Sequence, residues 1–191
     1  MKTFNTANDV AEYINSLSND KGPIIIAVDG YGGSGKSTLC KELTKLIPDS
    51  MTIQTDDFIK YPHAPNDFEH DWTAIENIVL KKLKTASEVT TATYDWNSLG
   101  PKAETQDVKH IVLIDGIGLL EEKYLHYYDV KIWIDCPYET ALDRGKKRDK
   151  EEQGSDHDEL WDTVWGPGSK LYFDRAHPDT KADILYQTIM R

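Results

Sequence analysis

The sequence predicts an α/β protein: a doubly wound parallel sheet of five strands, with helices on both faces and a small lid. Three observations carry this. Short apolar runs alternate with stretches of helical periodicity, the pattern that sets parallel strands side by side and lays helices over them. The first core run, residues 23–28, passes straight into Gly30-Tyr31-Gly32-Gly33-Ser34-Gly35-Lys36-Ser37, which fits G-x-x-x-x-G-K-[ST]. A later run, residues 111–114, ends on Asp115, as a buried strand does when it delivers a carboxylate toward Mg²⁺.

The glycine loop has the right neighbours on both sides. The β-branched run before it reads as a buried parallel strand. After it, Leu39, Cys40, Leu43, Leu46 and Ile47 recur at helical spacing until Pro48 stops them. Strand, loop and helix in this order make the phosphate cradle of a P-loop NTPase. Gly30, Gly32, Gly33 and Gly35 let successive N–H groups turn inward without a Cβ in the way. Ser34, Lys36, Ser37 and Thr38 complete the cradle at a helix N-terminus, whose free N–H groups favour an anion. Lys36 can reach the β- and γ-phosphates of ATP, and the Ser37 hydroxyl can ligate Mg²⁺ alongside Asp115.

A chain of 191 residues suits one domain with a sizeable core. It divides into an N-terminal helical extension (1–21), the body that bears the phosphate loop, and a lid with its following helix (144–170). No apolar run is long enough for a membrane span, and the first residues lack the apolar stretch of a signal peptide. Cys40 and Cys136 form no C-x-x-C pair, so a reduced cytoplasmic protein is the expectation. A net charge of −11 argues against nucleic acid as a partner. Against that acidic background, residues 144–150 hold Arg144, Lys146, Lys147, Arg148 and Lys150 beside one acid, Asp149. A solvated helix face is the plain explanation; beside a nucleotide loop, a clamp on ATP phosphates is the better one.

Read in order, residues 5–19 form an amphipathic helix with Val10, Ile14 and Leu17 on one stripe and Asn5 or Thr6 as cap. The second strand, 50–54, ends in Thr55-Asp56-Asp57-Phe58, and groups just past strand C-termini in open α/β sheets are where function gathers. Asp56 and Asp57 are therefore candidates for a general base or a metal contact. Residues 60–72 are irregular and aromatic-rich, as lids and pockets are. A helix follows over 73–83, then a strand-like stretch over 89–96 ending in Tyr94-Asp95-Trp96. Core strands follow at 110–116 and 130–135, with Pro137 opening the helix that bears the basic cluster. A helix from Ser155 carries Leu160, Trp161, Val164 and Trp165 on one face and breaks at Gly166-Pro167-Gly168. The last strand covers 182–186. The histidines fit no zinc spacing.

The chain resembles the uridine kinase family of P-loop kinases, which includes nicotinamide riboside kinases and is related to phosphoribulokinase. The resemblance runs from about Gly22 to the C-terminus. Its markers stand in order: Val28-Asp29-Gly30 through Thr38, Thr55-Asp56-Asp57-Phe58, Phe68-Glu69-His70, Tyr94-Asp95-Trp96, Ile114-Asp115-Gly116, Arg144 with Arg148-Asp149, and Ala182-Asp183-Ile184. The resemblance implies ATP-dependent transfer, with Mg²⁺, to a hydroxyl of a nucleoside-like acceptor. It implies Asp56 as the base, Glu69 on the ribose hydroxyls, Tyr94 against the base ring, and Arg144 and Arg148 in a lid over the transferring group. Members are often homo-oligomers.

The chain departs from the family's usual pattern at four places: Asp115-Gly116 in place of Glu-Gly, Gly145 after Arg144 in place of a second arginine, Asp71 after His70 in place of proline, and the Gly166-Pro167-Gly168 break. Uridine or cytidine, and nicotinamide riboside or another small hydroxyl compound, are the acceptors it leaves open. A non-catalytic ATP-binding regulator is the rival class, and the retained Lys36, Ser37, Asp56 and Asp115 argue against it. A GTPase switch would need an Asn-Lys-x-Asp motif, which the chain lacks.

Overall fold

A computed structural model describes residues 1–17, 22–58, 70–95, 100–152, 154 and 156–188. The strands are β1 (Lys2–Phe4), β2 (Ile24–Asp29), β3 (Ser50–Gln54), β4 (Glu88–Asp95), β5 (Gly100–Asp107), β6 (Ile111–Asp115), β7 (Val130–Asp135) and β8 (Ile184–Gln187). The helices are α1 (Ala7–Asn15), α2 (Lys36–Leu46), α3 (Trp72–Ala74), α4 (Tyr138–Glu152), α5 (Asp158–Leu160), α6 (Gly166–Ala176) and α7 (Pro178–Lys181). Six strands form one sheet in the order β1-β8-β7-β2-β6-β3, every pair parallel, with helices on both faces.

This corrects the expected count of five. Lys2–Phe4 precedes the N-terminal helix and adds a sixth strand by pairing with Ile184–Tyr186. The helix itself is shorter than the sequence suggests, Ala7–Asn15, and Thr6 caps it by accepting from the Asp9 amide at 3.2 Å. Its Val10 and Ile14 are buried, as the stripe requires.

β2 and its neighbour β6 lie in the interior of the sheet, and every residue of both is buried. That is why their sequences are continuous apolar runs and not alternating ones. β2 crosses over toward β3, whereas β7 crosses over toward β8. The two crossovers leave β2 and β7 in opposite directions, so a crevice opens beyond their carboxyl ends. The phosphate loop sits at that switch point. The stretch 89–96 is a strand as far as Asp95, but it lies outside the main sheet. β4 pairs antiparallel with β5, from Glu88 opposite Asp107 to Asp95 opposite Gly100.

The predicted helix over 73–83 is α3 continued by a π-helical stretch, Ile75–Leu80, with Ile75, Val79 and Leu80 buried. Asp71, one of the departures from the family pattern, caps it by accepting from the Ala74 amide at 2.9 Å. The expected break at Gly166-Pro167-Gly168 does not occur. α5 runs through a π-helical turn, Trp161–Trp165, into α6. The Gly166 amide donates to Trp161 O, five residues back. Pro167 has no N–H and would crowd a carbonyl four residues back in an α-helix; the wider turn relieves that conflict. The extra residue also rotates the apolar stripe, so Trp161 is buried whereas Val164 is 48% exposed. Among the described residues, no helix is long and apolar enough to cross a membrane.

Candidate active site

The phosphate loop leaves β2 at Asp29, completely buried at the carboxyl end of that interior strand. Asp29 Oδ1 accepts from the Gly30 amide at 2.7 Å and the Gly118 amide at 3.3 Å, and Oδ2 accepts from the Leu120 amide at 3.0 Å and the Tyr172 hydroxyl at 2.6 Å. One carboxylate thus ties the start of the loop to the segment after β6 and to α6. Burial pushes its carboxyl up to about 6, even though Tyr172, Leu120, Lys36 and Gly30 all pull it down. The folded protein therefore holds a proton that the unfolded chain gives up near pH 4, so Asp29's contribution to stability falls as pH rises from about 4 to about 6. The gap in unfolding free energy between wild type and Asp29→Asn should shrink by on the order of 3 kcal/mol across that window. Urea melts of both proteins at stepped pH measure it.

Tyr31 turns away from the crevice and fastens the loop from behind. Its ring meets Trp133 and Tyr138 edge-on at 5.5 and 5.4 Å and Phe173 at 5.3 Å, geometries aromatic pairs favour. Gly33 and Gly35 have φ of +77° and +107°, a region costly for any residue with a Cβ. A Cβ on Gly33 would stand 2.1 Å from Ala141 O in α4, so the loop and the helix bearing the basic cluster are in backbone contact. Lys36 Nζ donates to Gly30 O at 3.2 Å and Tyr31 O at 3.0 Å, which folds its charge back over the loop. Ser37 and Thr38 are exposed at the first turn of α2, and no side chain caps that helix. Its first amides are consequently available to an anion. Ser34 is buried, and its Oγ has no hydrogen-bond partner among the described residues.

Adjacent strands bring the carboxylates to this loop. Gln54 of β3 lies opposite Asp115 of β6, and each chain exits there. Thr55–Asp57 forms a 3₁₀ turn, closed by the Phe58 amide on Thr55 O at 2.9 Å. Buried Thr55 and Phe58 anchor the turn, and the Asp56 side chain faces out, 76% exposed. Gly116 makes the approach feasible: a Cβ there would stand 2.1 Å from Thr55 Oγ1. Burial holds the Asp115 carboxyl above the usual range, with Asp56 adding to the push, while Lys36 and the Ser37 hydroxyl oppose it. Protein packed around Asp56 also pushes its carboxyl up. The hydrogen bond and charge of His70, with the charges of Lys36 and Arg148, outweigh that push and leave it below the usual range. His70 Nε2 lies 3.0 Å from Asp56 Oδ1. Asp57 goes the other way, raised by burial and by Asp56, Glu104 and Asp115. Asp56 is thus the more firmly ionised of the two, and Asp57 the more basic.

The basic cluster on α4 divides in two. Lys146 pairs with Asp162 at 2.5 Å, Lys147 with Glu151 at 3.9 Å and Lys150 with Asp158 at 2.5 Å, so the lysines serve the helix surface. Arg144 reaches Cys136 Sγ at 3.7 Å and Thr188 Oγ1 at 3.4 Å, over the ends of β7 and β8, where Thr188 lies 3.7 Å from the Cβ position of Gly35. Arg148 is the arginine of the cluster whose charge is felt at Asp56. Glu69 lies outside the described residues, as do Tyr61, Phe68 and Trp96. Tyr94 stands in β4 opposite Pro101, with its side chain outside the description.

Sequence reasoning assigned no role to Asp29 or His70, although both stand inside motifs it quoted. It also missed the part played by Asp149 and Trp161. The Asp29 network joins residues far apart in sequence, whereas the Asp149 network lies within α4 and the segment after it and carries no motif that joins its members.

Residues 26–162 match the AAA domain family. Over 185 residues the chain is 31% identical to a uridine kinase of Clostridium tetani, covering 86% of this chain and 87% of that one. Over 142 residues it is 30% identical to a uridine kinase of Borrelia turicatae, covering 68% and 69%. Among solved structures, a possible uridine kinase from Bacillus stearothermophilus superposes with a TM-score of 0.71 at 16% identity, over 94% of this chain and 96% of that one. D-glycerate 3-kinase from Cryptococcus neoformans gives 0.51 at 15% identity over 92% and 87%. At those identities, the structural likeness speaks for the fold alone.

Proposed function

Since this chain belongs to the uridine kinase-like P-loop kinases, with an AAA domain over 26–162, we propose that it transfers the γ-phosphate of ATP to a ribose hydroxyl of uridine or cytidine. That it is a phosphotransferase acting on a hydroxyl acceptor follows from the family; the donor, the acceptor and the residue roles are our reading. The observation that carries it is the convergence of charge on Asp56: an exposed carboxylate, hydrogen-bonded by His70 and held ionised by Lys36 and Arg148, beside the phosphate loop.

In this reading the amides of Gly32 to Thr38 and the Lys36 ammonium bind the triphosphate. Asp56 accepts the proton of the acceptor hydroxyl as its oxygen attacks the γ-phosphorus. The bond to the bridging oxygen breaks and ADP leaves with that oxygen. Arg148 and Arg144 belong to the lid, with Arg148 toward the transferring group and Arg144 on the side of Gly35. Such a step is mostly alignment plus neutralisation of charge on the γ-phosphate oxygens. The exposed Ser37 hydroxyl and the Asp115 carboxylate fit Mg²⁺, a hard cation that keeps several waters and binds through few protein oxygens. Bound there, the ion would neutralise phosphate charge. Glu69 and Tyr94 would hold the acceptor's ribose and ring. The reaction belongs in the cytoplasm, where Cys40 and Cys136, both free and buried, stay reduced.

The test is ADP release with ATP and Mg²⁺ across a panel of pyrimidine and purine nucleosides, nicotinamide riboside and small hydroxy acids. Uridine or cytidine should stimulate release most. Silence on every acceptor, with tight binding of an ATP analogue, would make the chain a nucleotide-binding regulator.

A further inference from the structure

The lid contains a buried acid that the transfer step leaves unused. Asp149 is 2% exposed. Its Oδ1 accepts from Arg148 twice, from Nε at 3.1 Å and from a terminal guanidinium nitrogen at 2.8 Å. Its Oδ2 accepts from the Trp161 indole at 2.8 Å and lies 3.3 Å from His157 Nδ1. A buried carboxylate with partners on both oxygens is rigid, because giving up any one of them would strand a desolvated charge.

The indole that grips Asp149 is itself wedged between two glycines. A Cβ on Gly145 would stand 2.5 Å from the Trp161 ring, and a Cβ on Gly32 would stand 2.9 Å from it. The ring therefore lies directly against the phosphate loop on one side and the lid helix on the other. The Arg148 guanidinium sits 6.0 Å from the ring centroid, within cation–π range. This also accounts for glycine at 145, where the family often has a second arginine: any side chain there would evict the indole.

We infer that Trp161 is a positioning residue that latches Arg148 to the phosphate loop: the ring seats on Gly32, the indole N–H fixes Asp149, and Asp149 aims the guanidinium. This rests on the reading of Arg148 as a lid arginine for the transferring group. A long, flexible arginine loses rotamer freedom when it clamps a phosphoryl group. A latch built into the fold removes that freedom beforehand, which favours the transition state over simple ATP binding.

Trp161→Phe keeps an aromatic ring but removes the indole N–H together with part of the bicyclic ring's bulk. It should lower kcat about 10- to 100-fold, the loss expected for a hydrogen bond to a buried charge, and leave the KM for ATP within about threefold. Asp149→Asn, which presents an NH₂ to the indole N–H, should do the same and serves if the phenylalanine variant fails to fold. In an Arg148→Ala background, Trp161→Phe should cost little more, because the latch acts through that arginine. Unchanged kcat in the single variants, or losses that simply multiply in the double variant, would overturn the latch. Amide hydrogen exchange over residues 141–150 needs no acceptor and should quicken about tenfold in Trp161→Phe; unaltered exchange would also overturn it. A wild-type protein inert toward every acceptor would instead defeat the kinase reading, and exchange would still judge the latch.

Discussion

Asp56→Asn should reduce phosphoryl transfer by roughly 10²- to 10⁴-fold, the usual worth of a positioned general base, while an ATP analogue binds nearly as before. The asymmetry follows from where the residue sits. Asp56 lies in the turn just after the strand whose last residue, Gln54, pairs with Asp115, and it carries His70 on its Oδ1, but it is no part of the loop formed by Gly30 to Ser37. The amide is nearly isosteric and keeps an acceptor for His70. What it loses is the charge that accepts a proton from the attacking hydroxyl. Single-turnover ADP formation, set beside a titration with the analogue, separates the two effects. Near-normal turnover in the variant would remove Asp56 as the base and leave nucleotide binding as the chain's demonstrable chemistry.

Gly33→Ala should act in the opposite sense, striking ATP binding first. Two costs add at this one position. With φ at +77°, a Cβ is strained by about 1–3 kcal/mol. That Cβ would also stand 2.1 Å from Ala141 O and 2.8 Å from the Gly145 amide nitrogen. Those atoms are helix backbone, so α4 must move as a body or the loop must change shape. Either response spoils the cradle, and analogue affinity should fall at least about 30-fold. Gly154→Ala is the matched control: its φ is +66° with nothing within 4 Å, so it carries the strain without the clash. A thermal-shift titration of both variants reads the difference. Equal, small effects would mean that α4 and the loop are not rigidly packed.

The sheet was legible because its central strands are buried on both faces and so are written as unbroken apolar runs. β2 and β6 are the clearest cases. Two strands escaped for the opposite reason. Lys2–Phe4 is short, mostly exposed and at an edge, and β5 reads Gly-Pro-Lys-Ala-Glu-Thr-Gln-Asp, with no apolar alternation to betray it. The expected break at 166–168 was sound local reasoning from glycine and proline. It failed because a helix can absorb a proline by widening the turn before it. In the site, the phosphate loop, Asp56 and Asp115 were readable, since each lies within a contiguous motif. Asp29 was not, because its partners Gly118, Leu120 and Tyr172 lie 89, 91 and 143 residues away. The latch was hidden for a subtler reason: glycine at 145 looks like a loss until the tryptophan that needs the space is seen beside it.

The widened turn at Trp161–Trp165 has a bearing on how this protein could be altered. Each residue in an α-helix advances about 100° around the axis, so removing the surplus residue there would swing the indole by more than a quarter of a revolution and carry it off its glycine seats. The number of residues between Gly154 and Pro167 is thus part of the machinery. Anyone grafting this segment onto another scaffold would need to preserve that count before worrying about which amino acids fill it.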